Sequence, residues 1–531
     1  MSRTSPARPR ASTAWSLCLL LLLLGTVQAG YFTLRYAGRW SDSDTGFLTA
    51  AIRAVEDEGT LLPTRAFYSL GFAYQSVSAF ITLLTGIEPV QLQFHVYPLI
   101  ASMLSVLAFA MYQALTGSAA AGALATLLLF LQPDFLFVVF RGSHEKVTWL
   151  GAMLAMYLLA RSFREAREPR RFLGYVMLFY LAAFALIASN TFFGSSFVVA
   201  VSVSLFAGVL LLGMWERRRP GGIRPTVARL TYVVAAAMVL WFLAVFYLYP
   251  PAMSFLTNLR TTADRAGAVT AGLEQRYDVA ASVGEGWLNR GVYLGITSPT
   301  WVMAAVSFAI WAGLGARILL SGKVPQDPSR FLLWLLYGGF GIQLAAGLVL
   351  AAAGGVVVNL QVRLFPAVML MACALVAATF HALWRRWAGR FPRAVLVLVL
   401  IGFVLWAGLA APLKVTNEPA LASYWNFWTV PEEVAMRWAD NHATYAIIWL
   451  GPSVLRTYGR AVASEFGRDN RNLADATAVE LETRDLLISD MDAQLAQRVG
   501  FALPDVRHEN RLYDNGGSQM YRKVARTPFQ K

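Results

Sequence analysis

The sequence predicts a polytopic α-helical membrane protein of about eleven spans, with its N-terminus inside and a small α/β domain outside at the C-terminal end. Three observations lead to this prediction. Of 531 residues, 57% are hydrophobic and only 14% are charged, whereas a soluble domain carries about 25% charged residues. Apolar segments of helical length recur along the chain, and basic residues concentrate in alternate loops between them. The mean hydropathy of +0.51 agrees with this class.

Apolar segments that can span the membrane come first, because a spanning helix needs roughly 20 mostly apolar residues. The predicted spans lie at 14–30, 95–115, 118–133, 147–163, 172–189, 195–214, 230–249, 298–318, 331–353, 364–383 and 394–412. The segment 66–87 is also apolar but contains Tyr68, Tyr74 and Gln75. We therefore predict an amphipathic helix in the membrane interface there rather than a span.

The loops between these spans set the orientation. Arginines precede the first span, and the predicted inside loops 161–171, 215–229, 317–330 and 384–393 carry three to five Lys or Arg residues each. This agreement is what the positive-inside rule requires, and an added span at 66–87 would reverse it. The net charge of +14 therefore follows from topology and indicates no nucleic-acid partner. Cys18 and Cys373 lie in apolar runs, so neither a disulfide framework nor a Cys/His metal site is predicted.

The outer face then carries loops 31–94 and 250–297 and a tail from about 413. We divide the chain into a transmembrane domain, 1–412, and an outer domain, 413–531. The tail has an amphipathic pattern from Pro431, a strand-like run from Tyr445 and a hairpin signal at 514–517. The first span is interpreted as a retained signal anchor; Val27-Gln28-Ala29 leaves a cleaved signal peptide as the alternative.

Two carboxylates, Asp42 and Asp44, lie just outside the first span. Oxygen ligands suit Mg²⁺ or Mn²⁺, which are usually held by one or two carboxylates together with substrate phosphate. The alternative for Asp44 is a helix N-cap, because a helical pattern follows at 47–57. A residue can serve both purposes, so both hypotheses stand.

A charged segment, Arg141-Gly142-Ser143-His144-Glu145-Lys146, precedes the fourth predicted span. Glu145 is a candidate second metal ligand with His144 as its partner. The alternative is a set of solvated charges that snorkel at the membrane surface. Asp134 follows Pro133, and we assign it a turn or cap role.

Two further candidates lie at the outer face. Glu285 sits between glycines in the 250–297 loop, and Arg363 lies at the outer start of the tenth span. Their ordinary interpretations are a solvated loop acid and a snorkelling anchor. Arg is nevertheless well matched to phosphate. The chain has no phosphate-binding loop and no nucleophile elbow, and its inside loops are too short for a nucleotide domain, which argues against a nucleotide-sugar enzyme or an ATP-driven pump.

In this order the motifs resemble the GT-C membrane glycosyltransferases, and specifically a divergent oligosaccharyltransferase catalytic subunit. Asp44-Thr45-Gly46-Phe47 is similar to the family's entry to its first outer helix, whose Asp binds the metal. Gly142-Ser143-His144-Glu145 aligns with the Gly-Ser-x-Asp-x-Glu metal stretch but keeps one acid. Ser282-Val283-Gly284-Glu285 is close to Ser-Val-Ser-Glu, and Val362-Arg363-Leu364 matches a stretch whose Arg meets the donor phosphate.

The tail departs from the family. Where the family has Trp-Trp-Asp-Tyr-Gly, this chain has Ile448-Trp449-Leu450-Gly451-Pro452. Trp449 remains as a candidate substrate contact, but the Asp is absent, which argues against transfer to a standard Asn sequon.

The resemblance implies an enzyme of the cell membrane with its active site on the extracytoplasmic face. It would move a sugar or glycan from a polyprenyl-phosphate-linked donor in the lipid bilayer to a protein or glycan acceptor. Asp44 and Glu285 would be catalytic, Arg363, His144 and Trp449 would bind substrate, and Asp44, Asp42 and Glu145 would hold Mg²⁺ or Mn²⁺. The alternatives are a solute transporter, which the lack of acids within the spans disfavours, and a non-catalytic scaffold that keeps the fold.

Overall fold

The computed structural model describes most of the transmembrane region and parts of the C-terminal region. The described residues are 11–40, 43–61, 71–166, 168–218, 230, 233–234, 236–241, 290–321, 328–352, 360–387, 389–416, 427–442, 447–449, 471–472, 485–499 and 503–522. They form a mostly helical protein with a small C-terminal sheet. The predicted fold class is therefore confirmed.

Thirteen labelled helices precede the C-terminal region in the described part of the chain. They are α1 (Ala11–Tyr36), α2 (Ser43–Glu58), α3 (Ala73–Thr85), α4 (Pro89–Thr116), α5 (Ala119–Leu129), α6 (Pro133–Phe140), α7 (Glu145–Arg164), α8 (Pro169–Ser189), α9 (Thr191–Arg218), α10 (Arg290–Ser321), α11 (Pro328–Ala352), α12 (Leu360–Arg386) and α13 (Arg390–Thr416). Within α4, a π-helical turn covers Leu92–Val96. We call the end of the bundle that carries the C-terminal sheet the outer end.

The count of eleven spans is not confirmed. Eight described helices are long and apolar enough to cross a membrane, and a ninth candidate is the pair α5 and α6, bent by 78°. Pro133 opens α6 at its first turn, where its missing N–H costs nothing, so a new helix direction begins there. The predicted span 230–249 lies mostly outside the described residues.

Helix α7 corresponds to the fourth predicted span but is not among these eight. It is an antiparallel neighbour of α8 along its length. Arg161 near its end donates to Tyr175 of α8 at 3.3 Å, and His144 just before its start lies 2.8 Å from Asn190 just after α8. Its 20 residues extend about 30 Å at 1.5 Å per residue, which matches the hydrocarbon thickness.

Helix α3 has two faces, as the predicted interfacial helix requires. Tyr74, Gln75 and Ser78 are buried against the protein. An apolar row consisting of Val77, Phe80, Leu83 and Leu84 is exposed by 56–72%. This row is oriented away from the protein, so it is available to the membrane interface.

The C-terminal region pairs helix α14 (Val430–His442) with a five-stranded sheet. Its further elements are β1 (Ile447–Trp449), β2 (Arg471–Asn472), β3 (Asp485–Ser489), α15 (Asp490–Val499), β4 (Asn510–Asp514) and β5 (Ser518–Arg522). The strand order is β2-β1-β3-β5-β4. β1 is parallel to β2 and β3, whereas β5 is antiparallel to β3 and β4. Gly516, with φ of 84°, turns the β4–β5 hairpin, so the hairpin signal at 514–517 is confirmed.

The C-terminal region is joined to the first outer loop by backbone pairing. Trp40 forms an antiparallel bridge with Phe427, and the N–H of Trp428 donates to the carbonyl of Arg39 at 3.1 Å. The guanidinium of Arg39 also lies 4.0 Å from the carboxylate of Glu433. Helix α13 continues to Thr416, and the division of the chain at 412/413 stays a prediction.

Candidate functional site

Two segments that are far apart in sequence meet at the outer end of the bundle: the first turn of α2 and the loop before α7. Gly142 makes this approach possible. A Cβ at that position would lie 2.9 Å from Cγ2 of Thr45 and 3.2 Å from Cε1 of Phe94. The turn that carries Asp44 is therefore packed against the loop that leads to Glu145.

The two cations of this segment are buried, so the hypothesis of ordinary surface charges is wrong for them. Arg141 is 6% exposed and Lys146 is 5% exposed. The guanidinium of Arg141 donates to the carboxylate of Glu145 and lies 4.3 Å from the centre of the Phe137 ring. The ammonium of Lys146 donates to the carbonyls of Arg141 and Ser143, both at 2.7 Å. The two cations therefore fix the loop rather than project into water.

The electrostatic balance keeps Glu145 ionised. Burial raises the pKa of its carboxyl, but the opposing effects, of which the Arg141 guanidinium is the largest, outweigh burial, and the net pKa lies below the ordinary value. Burial lowers the pKa of Lys146 to about 7, with Glu145 opposing this shift and Arg141 adding to it. Glu145 is thus a partly buried anion, 18% exposed at its side chain, with a guanidinium on one oxygen.

The second oxygen of Glu145 has the chemistry of a ligand for a divalent cation. Oε2 is buried and receives no hydrogen bond, and it lies 3.8 Å from Nδ1 of His144. A carboxylate oxygen is the ligand type that Mg²⁺ and Mn²⁺ prefer. Among the described side chains no group of three or more His, Cys, Asp or Glu residues can hold a metal, so the ligand set would need Asp44 or Asp42.

Asp44 is the second residue of α2, which begins at Ser43. Asp44 therefore lies inside the helix and not at the N-cap position. The residue before the helix is Asp42, which lies outside the described residues. The side chain of Asp44 is not described either. The backbone position still places Asp44 in the first helical turn, where N–H groups are unsatisfied and negative charge is favoured.

For the other predicted site residues, the structure describes either the backbone position alone or nothing. Glu285 lies outside the described residues. Arg363 lies in the first turn of α12 and Trp449 ends β1, but neither side chain is described. Asp134 is in the first turn of α6, as expected for a cap or turn role. The convergence of Asp44, Glu145, Glu285 and Arg363 on one cavity stays a prediction.

Asn190 belongs to this site, and the sequence reasoning missed it. It separates α8 from α9, and its Nδ2 lies 2.8 Å from Nε2 of His144. Asn190 is 6% exposed and His144 is 2% exposed. The signal in the sequence was the polar triplet Ser189-Asn190-Thr191 between two apolar spans, since such a triplet is costly in a bundle unless its members have partners.

The segment just before α3 is held beside Asn190. The N–H of Phe72 donates to the carbonyl of Ala188 at 3.0 Å. A Cβ at Gly71 would lie 2.2 Å from the carbonyl oxygen of Ser189. Only glycine fits at position 71, and this close contact anchors α3 against the end of α8 next to the site.

Comparison with solved structures identifies the fold independently of the side-chain contacts described above. The chain is similar to the apo oligosaccharyltransferase of Archaeoglobus fulgidus, with a TM-score of 0.57 and 11% identity over 97% of this chain and 75% of that chain. It is similar to AglB from the same organism in complex with an inhibitory peptide and a dolichol-phosphate, with a TM-score of 0.52 and 12% identity over 98% and 75% of the two chains. The complex of the A. fulgidus enzyme with Zn and sulfate gives a TM-score of 0.50 and 11% identity over 96% and 73%.

The chain has a GT-C glycosyltransferase fold. The resemblance predicted from the short motifs is confirmed at the level of the fold. No protein-family model matches the sequence, and no curated protein matches it. An identity of 11–12% establishes the fold alone, so the activity is argued from the site.

Proposed function

We propose that this chain is a membrane glycosyltransferase that transfers a sugar or glycan from a polyprenyl-phosphate-linked donor to a protein or glycan acceptor on the extracytoplasmic face. The observation that carries the proposal is the GT-C fold over 97% of the chain together with a buried ionic site at the outer end of the bundle. The archaeal neighbour binds dolichol-phosphate and an inhibitory peptide, which supports a lipid-linked donor and a protein acceptor here.

The residues around Glu145 suit a phosphate leaving group. Glu145, Asp44 and Asp42 would hold a divalent cation, which when bound would neutralise charge on the donor phosphate. Arg141 and Lys146 hold the loop of Glu145 rigid, so its carboxylate needs little reorganisation. The Zn and sulfate complex of the archaeal neighbour supports a divalent metal in this fold, and Mg²⁺ or Mn²⁺ is our choice for oxygen ligands.

We assign the remaining substrate-binding and catalytic roles from the motifs that match the family. Arg363 would contact the donor phosphate, because guanidinium groups bind phosphate oxygens in a bidentate way. Asp44 or Glu285 would position or deprotonate the acceptor. Trp449 would contact substrate from β1. Because the family's Asp beside this Trp is absent, we propose an acceptor other than a standard Asn sequon.

The test is transfer by the purified protein in detergent or nanodiscs. A polyprenyl-linked sugar is supplied with Mn²⁺ and a panel of peptide and glycan acceptors, and wild type is compared with Asp44→Asn and Glu145→Gln. We expect both variants to lose most transfer. Glu145→Gln keeps an oxygen that can accept from Arg141, so it should remain folded, as measured by thermal unfolding.

A matched control comes from the exposed pair Arg507 and Asp505 of the C-terminal region, which are 82% and 54% exposed. Asp505→Asn should leave transfer unchanged. If wild type transfers sugar to no acceptor class, the catalytic assignment is wrong. Binding of the donor without transfer would instead indicate a scaffold protein. Full activity in Asp44→Asn would remove the metal role of Asp44.

A further inference from the structure

Asn190 has an amide whose orientation is fixed by the backbone. It adopts an extended conformation between α8 and α9, with φ of −154° and ψ of 97°. Its Oδ1 accepts the N–H of Phe193 at 3.0 Å, which caps the start of α9. Because a backbone N–H can only donate, the atom that it contacts must be the amide oxygen. The NH₂ group of Asn190 therefore points the other way, toward His144.

The orientation of Asn190 determines the protonation of His144. The Nδ2 of Asn190 lies 2.8 Å from Nε2 of the imidazole. An amide nitrogen can only donate, so Nε2 must accept and carries no proton. A neutral imidazole then has its proton on Nδ1. In a doubly protonated ring, the Nε2–H of His144 would face the NH₂ group of Asn190. Two hydrogen-bond donors would then meet in a buried site, which costs free energy.

The protonated nitrogen lies near Glu145. Nδ1 of His144 is 3.8 Å from Oε2 of the carboxylate, the oxygen that receives no hydrogen bond. The other oxygen of Glu145 accepts from Arg141. The Nδ1 proton therefore adds a partial positive charge beside Oε2, on the side of the carboxylate away from the guanidinium.

We infer that Asn190 is a positioning residue: it holds His144 as the neutral tautomer with its Nδ1 proton facing the Glu145 carboxylate at 3.8 Å, so that His144 does not ligate a metal. Neither ring nitrogen offers a lone pair to a cation in this state, because Nε2 accepts from Asn190 and Nδ1 carries the proton. The inference rests on the proposed function for its catalytic setting. It also narrows the set of metal ligands in that proposal, because the carboxylates alone would then bind the metal.

The direct measurement is ¹⁵N NMR of histidine-labelled protein. The chain has five histidines, and His144→Gln identifies the signal of His144. We expect wild type to show a protonated Nδ1 and an unprotonated Nε2. In Asn190→Asp an oxygen replaces the NH₂ group, so Nε2 must carry the proton, while Asp still serves as a good N-cap of α9. A protonated Nε2 in wild type would overturn the inference.

The kinetic measurement uses the same variant. A residue that orients a ligating group typically changes activity or metal affinity about 10–100-fold. We expect Asn190→Asp to lower kcat, or to raise the Mn²⁺ concentration for half activation, by at least about tenfold, with a much smaller change in KM for the lipid-linked donor. An unchanged kcat and Mn²⁺ requirement would show that Asn190 only caps a helix.

The chain offers a matched control at the other end of the bundle. Ser118 also caps a helix, accepting from the N–H of Ala121 at 3.4 Å, and its hydroxyl lies 3.3 Å from Nε2 of His381. Ser118→Ala removes a cap and a histidine contact far from the site, and it should leave kcat and the His144 signal unchanged. An equal loss of kcat in Ser118→Ala would overturn the positioning role. If wild type shows no transfer at all, the proposed function fails, while the NMR result still decides the tautomer.

Discussion

Two buried carboxylates of the C-terminal region share one hydroxyl donor, and this predicts a pH-dependent stability. Glu432 and Asp492 are 1% and 2% exposed. The hydroxyl of Ser489 lies 2.8 Å from Oε1 of Glu432 and 2.9 Å from Oδ2 of Asp492, but it has one proton to donate. Burial, followed by the charge of Glu432, raises the pKa of Asp492 to about 7 against the opposing N–H of Ser489. Burial also raises the pKa of Glu432.

The magnitude follows from the shift. An Asp in the unfolded chain has a pKa near 3.9, so a folded value of about 7 means a difference of about 3 units, or about 4 kcal/mol. The folded state binds the proton more tightly, so the contribution to stability is fully present below about pH 4 and is lost as the pH rises to about 7. Between pH 5 and pH 7 we expect the free energy of unfolding of this region to fall by about 2–3 kcal/mol.

Hydrogen exchange measures this loss locally. Peptides from α14 and from β3–α15 are followed between pH 5 and pH 8, after correction for the intrinsic exchange rate. Asp492→Asn keeps an oxygen that accepts from Ser489 but cannot titrate, so its protection should vary much less with pH than in wild type, with Glu432 as the remaining titrating group. Asp505→Asn is the control, because hydrogen bonds from Arg507 hold the pKa of Asp505 below its ordinary value and it stays ionised throughout. Constant protection in wild type, or a pH slope in Asp492→Asn as steep as that of wild type, would refute the reasoning.

Two substitutions test the packing of the site by thermal unfolding in detergent. Arg141→Ala leaves the partly buried carboxylate of Glu145 without its cation, so we expect a loss of about 3 kcal/mol, the low end for a broken buried pair; a change within error would mean that Glu145 becomes solvated. Gly71→Ala would place a Cβ 2.2 Å from the carbonyl oxygen of Ser189 and should lower the melting temperature by several degrees, whereas Gly30→Ala, which meets nothing within 4 Å, should not lower it.

The helical membrane class was predictable because the bilayer imposes simple rules, whereas the number of spans and the inside–outside orientation stay predictions. Span length and the positions of basic loops are both written in the local sequence. The bend between α5 and α6 was not predicted, although Pro133 marks it. Apolar composition alone does not distinguish one straight helix from two helices that meet at an angle of 78°. The hairpin at Gly516 was predictable because its turn chemistry is local.

The site was predictable in part. His144 and Glu145 were selected from a short charge pattern, but that pattern is the same whether the side chains are solvated or buried. Burial of Lys146 depends on the carbonyls of its own loop, and the state of His144 depends on Asn190, which lies 46 positions away in sequence. Such partners are set by tertiary packing, so one sequence without relatives does not reveal them.

The energetics of the outer site favour a functional role over a purely structural one. A buried ion pair seldom stabilises a protein more than apolar residues of the same shape, because desolvation of both charges offsets their attraction. Here Arg141, Glu145 and Lys146 are brought together at one helix start, and one carboxylate oxygen still lacks a hydrogen bond. A divalent cation at a lipid phosphate, as in the proposed function, would place a positive charge at Oε2.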